Sequence, residues 1–231
     1  MNYRLLYAMG FHPWEDLAEH RPYADGLLRL VAREEEGRRP PFGAALDVGT
    51  GSAVWGVELA RRGWDVTGID IVEKALNRAR ERVGKAGVEM RLMYGDVTKL
   101  GDAGFGSDFR LILDTGTFHG LTDDQRAAMG SGVDAVATTD ATVIIDCFAP
   151  RRRGPLPRGA SRADVERAFP GWDVTDVEVA DTEPDMISKL FRFDERFYRL
   201  RRNRAERSDD SAGPDPAAVT SGPVSLRASP S

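Results

Sequence analysis

Residues 44–53 read Ala44-Ala45-Leu46-Asp47-Val48-Gly49-Thr50-Gly51-Ser52-Ala53, and this stretch decides the fold. The apolar run Ala44–Val48 predicts a buried strand, and Ser52 predicts the cap of a helix reaching about Arg62. Between them, Gly49 and Gly51 permit a tight turn and let a ligand approach the backbone where no Cβ intervenes. A helix start there offers free N–H groups and a positive dipole end, suited to a carboxylate or phosphate. The dinucleotide fingerprint requires Gly or Ala at the sixth position, which is Val54 here, and no Gly-Lys-Ser/Thr follows. Asp47 would repel a pyrophosphate and suits a ligand that carries positive charge.

Outward from this turn, strand and helix patterns alternate. Strands are predicted at 65–69, 88–94, 109–114 and 141–148, the last buried on both faces. Val72, Ala75, Leu76, Ala79 and Val83 share one face of a helix over 72–86. Thr122 with Gln125, and Ser161 with Asp164, mark two further helix starts. Strands at 172–180 and 190–200 have no helix between them and are expected as an antiparallel pair at one edge. Helix-linked strands imply parallel pairing with right-handed crossovers, hence a doubly wound α/β sheet. Helices are also predicted at 13–20 and 23–36.

Acidic groups recur where these strands end. Asp70 closes the second strand, 23 residues after Asp47; Gly95-Asp96 follows the third; Asp114-Thr115-Gly116-Thr117-Phe118-His119 follows the fourth. An open parallel sheet binds its ligands at that end.

In this order, the four segments resemble the motifs of class I S-adenosylmethionine (SAM)-dependent methyltransferases. Asp47-Val48-Gly49-Thr50-Gly51-Ser52-Ala53 is similar to motif I, with Ala53 in place of the third glycine. The resemblance covers about 44–200 and implies a Rossmann-like, three-layer fold with a seven-stranded sheet ordered 3-2-1-4-5-7-6. It implies SAM as cosubstrate, S-adenosylhomocysteine (SAH) as product, and a ribose contact at Asp70 and an adenine contact at Asp96. The full expected cosubstrate set is Asp47, Val48, Gly49, Thr50, Gly51, Asp70, Ile71, Gly95, Asp96, Val97, Asp114 and Trp14. The segment 114–121 resembles the small-molecule thiopurine and thiol methyltransferase group. It does not match the Asn-Pro-Pro-Phe/Tyr segment of enzymes that methylate adenine or amide nitrogens. The aromatic residues Tyr3, Tyr7, Phe11 and Trp14 suit a lid, as in that group.

Composition sets the outer limits. The 231 residues carry a net charge of −5, which supplies no global basic field for nucleic acid or an anionic membrane. A single cysteine, Cys147, excludes an internal disulfide framework and a cysteine-rich zinc site; no metal is expected. No secretory signal or apolar run of membrane-spanning length is present, so a cytoplasmic location is expected. Three regions follow: an N-terminal helical lid over 1–40, a methyltransferase domain over 41–202, and a disordered tail over 203–231 rich in Ser, Ala, Pro and Asp.

The expected activity is methyl transfer to an O, S or N atom of a small-molecule acceptor, by a monomer or homodimer. His119 is the expected base and Asp114 its orienting or cosubstrate-binding neighbour. Arg151–Arg153 with Arg158 form a candidate clamp for an acidic acceptor. The rival readings are a catalytically silent SAM- or SAH-binding regulatory module, a nicotinamide oxidoreductase and an RNA methyltransferase.

Overall fold

A computed structural model describes residues 21–101, 104, 106–150, 157–179 and 195–203. Their elements run α1 (Arg21–Glu35), β1 (Ala44–Val48), α2 (Val54–Arg62), β2 (Asp65–Asp70), α3 (Glu73–Ala86), β3 (Arg91–Tyr94), β4 (Phe109–Thr115), α4 (Asp123–Val136), β5 (Ala137–Phe148), α5 (Arg162–Ala168), β6 (Trp172–Val179) and β7 (Glu195–Arg202). The seven strands form one sheet in the order β3-β2-β1-β4-β5-β7-β6. β3 through β5 pair in parallel, whereas β7 runs antiparallel to both β5 and β6. This is the doubly wound, Rossmann-like arrangement that the sequence pattern predicts.

Two apolar layers hold the sheet. On one face Met129 and Val133 of α4 and Val165 of α5 pack against Val48, Ile112, Val143 and Ile145. On the other, Tyr23, Leu27, Leu30 and Val31 of α1, with Trp55 and Leu59 of α2, pack against Ala45, Leu111, Ile144 and Phe197. The helix at 21–35 is thus a layer of the core, with its apolar stripe against the strands. Its far end is fastened by Glu34, which accepts from Arg199 Nε at 2.7 Å and from Thr142 Oγ1 at 2.7 Å.

Some boundaries differ from the sequence pattern. α2 starts at Val54 behind Ala53, which adopts a left-handed conformation (φ 59°, ψ 35°) with no side-chain cap, so Ser52 is not the cap. The Ser52 hydroxyl instead accepts from Arg82 Nη2 at 3.5 Å. β3 covers only Arg91–Tyr94. Both expected capping boxes form, Thr122 with Gln125 and Ser161 with Asp164. The expected helix at 13–20, Trp14, Arg151–Arg153 and the tail from 204 onward lie outside the described residues. Among the described residues no helix is long and apolar enough to cross a membrane, and no group of three potential ligands is placed to hold a metal.

The α4–α5 contact is close enough for one methyl group to matter. A Cβ at Gly130 would lie 1.8 Å from the Ala168 carbonyl oxygen, whereas one at Gly84 would meet nothing within 4 Å. Gly130→Ala is therefore expected to lower the unfolding free energy by roughly 1–3 kcal/mol. Gly84→Ala, on the exposed face of α3, is expected to raise it by about 0.5–1 kcal/mol. Urea titration of both variants checks the pair; equal signs would contradict the packing described.

Candidate active site

The turn after β1 is held from three sides. Asp70 Oδ2 accepts the Gly51 N–H at 2.9 Å, and Asp70 Oδ1 accepts the Val72 N–H at 2.8 Å. One carboxylate at the end of β2 thereby locks the glycine turn and starts α3. The Thr50 N–H donates to the Ile69 carbonyl at 2.9 Å, completing the link to β2. Gly49 (φ 66°) and Gly51 (φ 55°) both adopt the left-handed backbone. At Gly49 the space is also closed to a side chain, because a Cβ would sit 1.9 Å from Thr117 Oγ1.

Asp47 supports the turn from beneath. It is buried; its Oδ2 accepts Thr50 Oγ1–H at 2.5 Å, and the Gly56 amide also donates to it. Burial pushes its carboxyl up to about 6, against the pull of these two donors. Asp70 is raised by burial too, opposed by the amides of Val72, Gly51 and Ile71.

Asp96 stands at the end of the neighbouring strand. Its Oδ1 accepts both the amide (2.9 Å) and the hydroxyl (2.7 Å) of Thr98, which orients the carboxylate at the head of a 3-10 turn over 97–99. Ile71 (40% exposed) and Tyr94 (56% exposed) are large apolar side chains left open beside the two acids. Tyr94 escaped the sequence reading, because an aromatic in a strand is usually core and only the short β3 leaves it bare. Gly95 donates its N–H to the Asp70 carbonyl at 3.0 Å and joins the two strand ends. Val48 and Val97 face the core, so only their backbones border the turn.

The segment after β4 departs most from expectation. Asp114 is fully buried and accepts three backbone N–H groups, from Gly116 (3.0 Å), Thr117 (2.8 Å) and Phe118 (3.0 Å). It shapes the loop from inside and does not face an acceptor. Burial raises it to about 7 in spite of those donors. His119 is 5% exposed, stacks on Phe148 at 4.6 Å, and its Nδ1 accepts the Phe148 N–H at 3.4 Å. A neutral imidazole that accepts at Nδ1 carries its hydrogen on Nε2. The geometry at His119 therefore provides a donor and not the base expected from the sequence.

Arg126 of α4 was missed altogether. Its guanidinium is buried, donates to the carbonyls of Phe118 (3.1 Å), His119 (3.2 Å) and Gly159 (2.7 Å), and lies 4.9 Å over the Phe118 ring. It ties the loop after β4 to the loop after β5. The available signal was an arginine at helical spacing from Met129 and Val133, on a face otherwise apolar. Arg158, one of the four clamp candidates, pairs with Asp123.

Four acids and a bare turn thus meet at the C-terminal rim of a parallel sheet. Residues 45–138 match the family model described as a methyltransferase domain. Among curated relatives, the chain is 38% identical over 70 residues to ribosomal RNA small subunit methyltransferase C of Alcanivorax borkumensis, covering 30% of this chain and 21% of that one. It is 28% identical over 199 residues to the release factor glutamine methyltransferase of Deinococcus radiodurans (79% of this chain, 66% of that one). It is 26% identical over 178 residues to the 2-heptyl-1-hydroxyquinolin-4(1H)-one methyltransferase of Mycobacteroides abscessus (72% and 74%). The chain thus spans less than two thirds of the first two relatives. A solved structure, the Burkholderia thailandensis 1,6-didemethyltoxoflavin-N1-methyltransferase with bound SAH, superposes with a TM-score of 0.66 at 18% identity, covering 87% of this chain and 86% of that one. What the two structures share is the fold, a seven-stranded doubly wound sheet.

The raised carboxyls give a pH dependence. Asp47 and Asp114 titrate at about 6 and about 7 when folded, against 3.8 without such an environment. The folded state binds the extra protons between these limits, so the unfolding free energy falls as pH rises from about 4 to about 7. Asp114→Asn is expected to remove its share of that slope and to cost about 1–3 kcal/mol at pH 5 through the lost Phe118 bond. Urea titrations at pH 4.5 and 7.5 check this; an undiminished slope in the variant would contradict it.

Proposed function

We propose that this chain is a SAM-dependent methyltransferase that transfers a methyl group to an O, S or N atom of a small molecule. The observation that carries the reading is the placement of Asp70 at the junction of β2 with the glycine turn, beside the open side chain of Ile71 and one strand from Asp96. A carboxylate offers about four acceptor positions, so Asp70 retains capacity for a ribose hydroxyl while it accepts three amides. Gly49 and Gly51 form the left-handed turn without side chains of their own, which leaves its backbone open to a charged amino-acid portion. The donor set and the bare cradle therefore fit the cosubstrate.

Bound there, the sulfonium supplies an activated methyl group. The chain's own residues orient it and hold the acceptor in line, which is worth up to about 7–11 kcal/mol. Arg126 fixes the two loops that border the acceptor.

A small-molecule acceptor is supported by the net charge of −5 and by the named acceptors of the Mycobacteroides and Burkholderia proteins. The segment Asp114–Leu121 also lacks the Asn-Pro-Pro-Phe/Tyr pattern. One observation favours an RNA acceptor as a second reading: a groove between α1, α2 and α3 carries Arg61, Arg78, Arg82 and Lys85. Glu58 and Glu81 line the same groove and offset half of that charge. Retention on RNA at physiological salt would favour this second reading.

Calorimetric titration with SAH tests the proposal. Binding in the micromolar range is expected, about −8 kcal/mol. Asp70→Asn is expected to weaken it by roughly 10- to 100-fold, as for the loss of a hydrogen bond to a charged group. No heat of binding at millimolar SAH would overturn the reading.

A further inference from the structure

A second acidic site lies on the same rim, apart from the cosubstrate acids. Asp146, near the end of β5, pairs in register with Thr115 at the end of β4 and with Phe197 of β7. Thr142, Ile144 and Asp146 alternate onto the face covered by α1. Thr142 is fastened to Glu34 and Ile144 is core, but Asp146 interrupts an apolar run with a charge. It is 4% exposed. Its Oδ2 accepts the Tyr23 hydroxyl at 2.7 Å, and its Oδ1 is buried with no hydrogen-bond partner.

Glu195, the first residue of β7, is 7% exposed on the same face and acts on Asp146 through space. Neither acid has a cationic partner among the described residues. The charged groups that bear on Asp146 are Glu195 and Asp114, both acids, while the neutral Tyr23 hydroxyl donates to it. Burial and mutual repulsion raise Asp146 well above the ordinary carboxyl range, and burial raises Glu195 to about 7. A buried carboxylate without a counter-charge is costly, and the fold does not require one here, since an amide would accept the Tyr23 hydroxyl equally well. Such frustrated acids collect where a ligand supplies the missing charge.

We infer that the acceptor is an amine whose ammonium group docks between Asp146 and Glu195, with the vacant Asp146 Oδ1 as its principal hydrogen-bond acceptor. This rests on the methyltransferase reading above and narrows its acceptor to nitrogen. One ammonium proton passes to the carboxylate pair, which leaves the nitrogen lone pair free. That lone pair forms the N–CH3 bond as the S–CH3 bond breaks, and the bonding electrons remain on sulfur. The product leaves as a secondary ammonium, and the proton held by the pair returns to solvent. The acid pair thereby fills the role that His119, as a donor, does not.

The test is calorimetry of the whole chain with saturating SAH, using 2-phenylethylamine and its neutral analogue 2-phenylethanol as probes, with mass spectrometry of methylated product. The amine is expected to bind and be methylated in preference to the alcohol. Asp146→Asn and Glu195→Gln are each expected to weaken amine binding by about tenfold or more while leaving SAH affinity unchanged. The Glu195 side chain makes no hydrogen bond to a described residue, so Glu195→Gln carries the test should Asp146→Asn fail to fold. Equal binding of both probes, or an unaltered amine affinity in Glu195→Gln, would overturn the inference. So would a loss of SAH affinity in Asp146→Asn, which would mean that this acid holds the ammonium of the cosubstrate. Failure of the parent chain to bind SAH would overturn the methyltransferase reading itself and this inference with it.

Discussion

The bond from the Gly51 amide to the Asp70 carboxylate is the contact on which the site depends. It joins the turn after β1 to the end of β2, and the same carboxylate starts α3 through Val72. The turn cannot relax without disturbing either the sheet or that helix. Gly49 and Gly51 take the left-handed conformation at little cost, whereas Ala53 is held in one that a residue with a Cβ would rarely choose. Asp47 below and Thr117 above close off the other ways the turn might fold. A short segment with no regular structure thus gains the rigidity of the strands that flank it.

Acids recur around this rim, where the parallel strands end with free backbone amides, and three of them accept those amides. Asp114 takes three, Asp70 takes three and Asp96 takes one. The common local chemistry conceals different roles. Asp114 is sealed inside its loop, Asp70 and Asp96 stand at adjoining strand ends beside open apolar side chains, and Asp146 is buried with an acceptor oxygen unused. What separates an architectural acid from a ligand-binding one is what remains after the backbone has been satisfied.

Much of this was legible in the sequence, and the reasons are local. The strand Ala44–Val48 and the two capping boxes follow from apolar period and cap chemistry, and the structure places them where the pattern does; the antiparallel pair β6–β7 also forms, with β7 described over Glu195–Arg202 against the expected 190–200. The cap at Ser52 was misread because Ala53 turns left-handed, a conformation that a residue with a Cβ seldom shows and that no pattern announces. Asp114 is enclosed by amides two to four residues on, a loop geometry that no residue pattern announces, and the tautomer of His119 depends on the amide of Phe148, 29 residues away. Arg126 and Asp146 were invisible for the opposite reason. Each lies in an apolar run, where a charged residue reads as an exception until its partners, or their lack, can be seen.

The most direct measurement is the map of backbone amide shifts on addition of SAH to the isotopically labelled chain. The account predicts the largest changes at Gly49–Gly51, Asp70–Val72 and Asp96–Thr98, with little at Ala44, Asp65 and Ala137 at the opposite ends of the strands. Shifts concentrated at those opposite ends, or along the groove of Arg61, Arg78 and Arg82, would contradict it.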